Sequence, residues 1–149
     1  MAKFEANQAA DVLAIQQVIN EWAAEMDVGN GVGMAPLLTA DCQYTVRAVV
    51  RDGRDAVVAF YKARLTEFPD GPPIHRHALT NYRIAFNGTD EARADFNLIY
   101  FSTAAFADKA TRPDPFSYAD VWMNCRREGD GHWRISSFDS LPVFVRMPA

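Results

Sequence analysis

Asp27 and His77 are the residues from which this chain could build a general base. Asp27 follows Met26 directly and lies one helical turn beyond Trp22 and Ala23, which belong to the apolar stripe of a helix, so its carboxylate is expected to point inward. A buried aspartate needs a partner. His77 is available in Ile74-His-Arg-His-Ala-Leu-Thr-Asn-Tyr-Arg-Ile-Ala-Phe, a β-rich segment that follows the break Pro69-Asp-Gly-Pro-Pro. A carboxylate against one imidazole nitrogen fixes the tautomer and stabilises the cation formed when the other nitrogen takes a proton. Strand alternation puts His77, Leu79, Asn81 and Arg83 on one face and Ala78, Tyr82, Ile84 and Phe86 on the other, which sets Asn81 beside the histidine. The plainer alternative is a solvated aspartate in a Gly-rich loop and a structural strand histidine.

Other chemistry has less support. His75 shares the face of His77 if the strand starts early, but an HxH pair needs a third ligand to hold a metal, and His132 falls in a distant hairpin turn, so no metal is expected. Gly29-x-Gly-x-Gly33 follows a helix instead of a strand, which removes the context of a dinucleotide fingerprint and leaves a flexible turn. No cofactor is implied. Cys42 and Cys125 each stand alone in their segments and are expected to be reduced core thiols. Tyr44, Phe60, Tyr61, Tyr100, Trp122 and Phe138 are candidates for a pocket wall, with Trp22 and Met26 above it, although each could equally be core. On 116–127, Phe116, Tyr118, Asp120, Trp122 and Asn124 alternate with Ser117, Ala119, Val121, Met123 and Cys125, and both sets are partly apolar, so alternation does not say which faces inward.

The elements that must position these residues follow from periodicity. Apolar residues at 10, 12, 13, 15, 18, 19, 22, 23 and 26 predict an amphipathic helix over Asn7–Met26, ended by Asp27-Val-Gly-Asn-Gly-Val-Gly. Pro36-Leu-Leu-Thr suggests a short second helix, Cys42–Val50 a strand stopped by Arg51-Asp-Gly, and Asp55–Phe68 a third helix. Strands follow over His77–Phe86, Ala92–Ala104, Phe116–Arg127 and Trp133–Val145, with turns at Asn87-Gly88 and Gly129-Asp-Gly131 and a longer polar loop at Ala107–Pro115. Helices first and long strands after predict a single α+β domain over 1–149, with N-terminal helices packed on a curved, mostly antiparallel sheet that encloses a pocket.

Composition narrows the partners. Hydrophobic residues make up 49% and charged residues 23%, a globular mixture that a chain of 149 residues can fold around a real core. The net charge of −4 and the lack of any Lys/Arg-dense stretch argue against nucleic acid. No run of eighteen apolar residues and no signal-peptide pattern occur, so the expected location is the cytoplasm, away from membranes. The apolar ending Leu141-Pro-Val-Phe-Val-Arg-Met-Pro suggests packing against another protomer.

Taken together, the helix ending in Asp27, Leu37-Leu-Thr-Ala-Asp-Cys-Gln-Tyr44, Asp52-Gly-Arg-Asp-Ala-Val-Val, His77-x-x-x-Asn81 and Gly131-His-Trp-Arg-Ile resemble the NTF2-like superfamily, in its SnoaL-like branch. The resemblance spans nearly the whole chain and implies a cone-shaped α+β fold. That branch includes scytalone dehydratase, hexachlorocyclohexane dehydrochlorinase and the β subunits of ring-hydroxylating dioxygenases, and its helix-end Asp and strand His map onto Asp27 and His77. It implies a cofactor-independent lyase of the dehydratase type acting on a small cyclic or aromatic-precursor substrate, with Tyr44, Asn81, Tyr100 or Ser102 contacting it. The alternatives are an isomerase using the same base, and a non-catalytic ligand-binding protein or structural subunit like a dioxygenase β chain. The chain departs from the branch in places: Met26 stands where scytalone dehydratase has Tyr, and Trp22 where the dehydrochlorinase has Lys. The nearest enzymes imply a homotrimer and other branches a dimer, with the trimer slightly favoured.

Overall fold

Apolar spacing in the N-terminal segment produces the helix it predicts, α1 (Ala9–Ala24), which turns Ile15, Ile19, Trp22 and Ala23 into the core. Leu13, counted in that stripe from spacing, is instead 68% exposed. The computed structural model describes residues 4–69, 71–103 and 115–146, with the backbone alone described at 115 and 116. Past Ala24 the helix widens into a π-turn, Glu25–Gly29, and ends at Asn30, whose left-handed conformation closes it. Pro36 and its neighbours form a single 3-10 turn, Ala35–Leu37, not a helix, because the backbone extends at once into β1 (Leu38–Val46).

The strand expected over Cys42–Val50 is in fact a hairpin of β1 and β2 (Val49–Asp52). Arg47 and Ala48 turn it with positive φ at both positions, a conformation usually given to Asn and Gly. Arg51 compensates by donating from Nη1 to the carbonyls of Val46 at 3.0 Å and Val49 at 2.6 Å. Next comes α2 (Arg54–Leu65), then four long strands: β3 (Ile74–Phe86), β4 (Glu91–Thr103), β5 (Pro115–Arg127) and β6 (Trp133–Val145). The loop expected at Ala107–Pro115 lies outside the described residues up to its last position, Pro115, which opens β5.

The six strands form one sheet in the order β2-β1-β6-β5-β4-β3, antiparallel throughout except that β1 runs parallel to β6. Helices α1 and α2 lie against one face of it, so the fold is α+β, a curved and mostly antiparallel sheet under N-terminal helices. Between the layers sit Phe96, Leu98, Val121, Met123 and Ile135 from the sheet, with Cys42 and Cys125, both free thiols. Burial pushes each thiol up to about 12, so neither is a nucleophile.

One irregularity matters for the site. In β3 the pairing with β4 shifts between Thr80 and Arg83, where Asn81 has φ of 60°. The inward set therefore runs His75, His77, Leu79 and then Tyr82, Ile84, Phe86 instead of alternating evenly.

Candidate active site

The π-turn decides where Asp27 goes. A wider turn at the end of α1 rotates residues 25–29 relative to a regular helix and brings the Asp27 carboxylate over the start of β3. There Oδ1 lies 2.6 Å from His77 Nδ1, while the His77 backbone N–H donates to both carboxylate oxygens at 3.1 and 3.2 Å. The two side chains are only 10% and 12% exposed. Because the carboxylate accepts at Nδ1, the imidazole proton belongs there and Nε2 is the nitrogen left for the cavity that His77 lines. Trp22 packs edge-on against the His77 ring with centroids 5.7 Å apart, and Tyr100 lies on it at 4.9 Å, so rotation of the ring is resisted on both sides.

Tyr44 is a second centre. Its hydroxyl oxygen accepts from Trp22 Nε1 at 2.7 Å and from the Tyr61 hydroxyl at 3.2 Å, and its ring stacks on Phe138 at 4.5 Å. Both lone pairs of that oxygen are then in use, which leaves its own proton to be donated. Burial pushes the Tyr44 and Tyr61 hydroxyls above their ordinary range, so near neutral pH they donate hydrogen bonds and do not act as bases. Gly31 makes room for Tyr61: at φ of 82°, a β-carbon there would come within 2.6 Å of the Tyr61 ring.

Asp27's partner and the tyrosine centre border one cavity of about 910 Å³, within the range that small-molecule sites occupy. Of the residues singled out from sequence, Trp22, Met26, Tyr44, Tyr61, His77, Tyr100, Ser102 and Phe138 line it. Asp27 meets it only through His77, and Phe60 lies instead under the Arg51 guanidinium, 3.7 Å from its ring centre. Two further candidates do not line it either. Asn81, set beside His77 by strict alternation, is turned outward by the β3 bulge and hydrogen-bonds Asn97 at 3.0 Å on the exposed face. Trp122 also faces outward, under the Arg93 guanidinium, because Ala119, Val121 and Met123 are the inward set of β5. Sequence reasoning missed His75 and Arg64 as site residues. His75 was seen only as half of a metal pair, yet it is 6% exposed, lines the cavity and lies with its ring 5.9 Å from that of His77. Burial first, and then the neighbouring His77, hold its imidazole below the usual histidine value. Arg64, on the last turn of α2, gives no signal in sequence beyond its helical position. Among the described residues no group of three or more His, Cys, Asp or Glu is placed to hold a metal ion.

The SnoaL-like domain family matches residues 7–139, from the first turn before α1 to the middle of β6. The chain belongs to the SnoaL-like family. Its fold is correspondingly the NTF2-like cone. An NTF2-like protein with a cystatin-like fold from Novosphingobium aromaticivorans superposes with a TM-score of 0.72 at 18% identity, over 92% of this chain and 84% of that one. A scytalone dehydratase-like protein from the same organism gives 0.74 at 17%, over 92% and 87%. The hexachlorocyclohexane dehydrochlorinase LinA-type3 from Novosphingobium barchaimii gives 0.74 at 16%, over 93% and 90%. At these identities what is shared is the fold. No curated protein sequence matches the chain.

Proposed function

We propose that this SnoaL-like protein is a cofactor-independent lyase of the dehydratase type, with Asp27 and His77 as its general base. The observation that carries this is the 2.6 Å contact between Asp27 Oδ1 and Nδ1 of His77, which lines a large cavity. Membership of a family with dehydratase-like and dehydrochlorinase neighbours supports a lyase-type activity. His77 Nε2 takes a proton from an acidic C–H of a small hydroxylated ring compound. The electron pair of that bond forms the new double bond, the neighbouring C–O bond breaks, and the departing hydroxide recovers the proton from the imidazolium and leaves as water. The carboxylate of Asp27 stabilises the imidazolium between the two transfers and keeps the ring in the productive tautomer. Tyr44, with both lone pairs committed, donates its proton to a substrate oxygen, and Tyr100 and Ser102 add polar contacts on the facing strand.

The exposed apolar end of β6, with Leu141, Val143, Phe144 and Val145 each about half or more exposed, supports assembly with further copies of the chain. The lyase reading is tested by a thermal-shift screen of hydroxylated ring compounds, with each hit followed for turnover by absorbance in wild type, Asp27→Asn and His77→Ala. Turnover in wild type that is lost in His77→Ala is expected. Hits that stabilise all three proteins and are never converted would contradict it.

A further inference from the structure

A narrow recess of about 10 Å³ opens beside the main cavity, sharing Met26, Tyr61, Arg64, Phe68 and His75 with it. Its walls are mostly apolar, but two polar side-chain groups in it have no hydrogen-bond partner among the described residues. His75 Nε2 is buried and is one of them; the Met26 carbonyl beside the ring favours its charged form. An unsatisfied buried group of this kind is costly, and a protein rarely carries one without use. Arg64 is partly buried, and its guanidinium, with five donors to offer, makes no ion pair or hydrogen bond with any described residue. The other nitrogen of His75, Nδ1, lies 3.4 Å from the Tyr100 hydroxyl. When that hydroxyl donates to Nδ1, the ring carries its proton on Nε2, and an N–H donor joins the Arg64 cation in the same recess.

We propose that the substrate is a carboxylic acid whose carboxylate is seated between Arg64 and His75 Nε2. A recess of this size admits about one oxygen-sized atom and not a ring, so one carboxylate oxygen enters it while the rest of the acid stays in the main cavity. A charged and a neutral donor lining the same recess match a carboxylate better than a neutral carbonyl, since charge-assisted hydrogen bonds to Arg are the strong ones. The Arg64 charge also helps keep the neighbouring imidazole neutral, which preserves it as a single N–H donor. This deepens the lyase reading and rests on the same cavity being the substrate site: His75 and His77 sit two residues apart on one strand face, so an acid anchored at His75 presents its ring to His77.

Calorimetric titration of the full chain with benzoate and 2-naphthoate, each paired with its neutral amide, tests the proposal. The carboxylates are expected to bind at least about tenfold more tightly than the amides. Arg64→Met should abolish that preference, Arg64→Lys should retain part of it, and His77→Ala should keep it. Equal affinity of acid and amide, failure of both acids to bind at millimolar concentration, or a preference that survives in Arg64→Met would overturn it. Binding is read without turnover, so a preserved acid preference in a protein that converts nothing removes the lyase reading alone, and turnover of neutral compounds with no acid preference removes this proposal alone.

Discussion

Asp27 holds His77 through both the ring and the backbone amide, so a substitution there acts on orientation and charge together. Asp27→Asn keeps the shape but removes the charge that the proposed mechanism sets beside the imidazolium, and turnover of any converted ring compound should fall by roughly 10²–10⁴-fold. Steady-state rates on the purified variant check this. His75 gives a different signature, in stability. Its imidazole is held below the ordinary 6.5 by burial and by His77, so near pH 6 the unfolded chain binds the proton that the folded chain refuses. Its contribution is complete above the unfolded value, erodes as pH falls below it, and is gone once pH passes the lower folded value. The groups facing it, His77, Asp27, Arg64 and Tyr100, are unchanged in His75→Asn, whose urea midpoint should vary less between about pH 7.5 and pH 5 than that of wild type. At this scale much was legible: a carboxylate at a helix end and a strand histidine are recognisable types at readable positions. Asn81 was not, because one left-handed residue reverses the alternation on which its placement depended.

Helix ends and turns set the geometry of the elements. The π-turn at Glu25–Gly29 aims Asp27, and the chain after it folds back over Glu25, whose Oε1 accepts the Gly33 N–H at 2.7 Å. Gly31 in that return lies under Tyr61, so Gly31→Ala meets both a positive φ and the Tyr61 ring. It should cost about 1–3 kcal/mol in chemical denaturation, and the displaced Tyr61 should weaken ligand binding in the same cavity. The glycines were read as a flexible turn; their role as clearance for an aromatic is visible only once α2 is placed beside them. Likewise the β1–β2 hairpin escaped detection because Arg47-Ala48 carries none of the residues that announce such a turn, and the carbonyl contacts of Arg51 that hold it join residues several positions apart. Helix α1, by contrast, was readable from its spacing since nothing non-local had to be known.

For the whole molecule, layer order followed from the sequence, since helices before long strands leave few other packings. The parallel contact of β1 with β6 did not, because no local pattern records which strand a distant segment will join. The same pairing brings Tyr44 against Phe138 and so builds the inner wall of the cavity. Beyond it, β6 ends in an apolar stretch with Phe144 69% exposed. Phe144→Lys should lower the mass measured by light scattering in solution toward that of one chain, with the circular dichroism spectrum unchanged.

The proposed chemistry rests on Asp27 setting the tautomer of His77, and long-range proton–nitrogen NMR on ring-labelled protein reads that tautomer without any substrate. In the neutral His77 ring the proton is expected on Nδ1 with Nε2 bare, and that preference is expected to be lost in Asp27→Asn. A ring protonated at Nε2, or one whose pattern is the same in the variant, would contradict it.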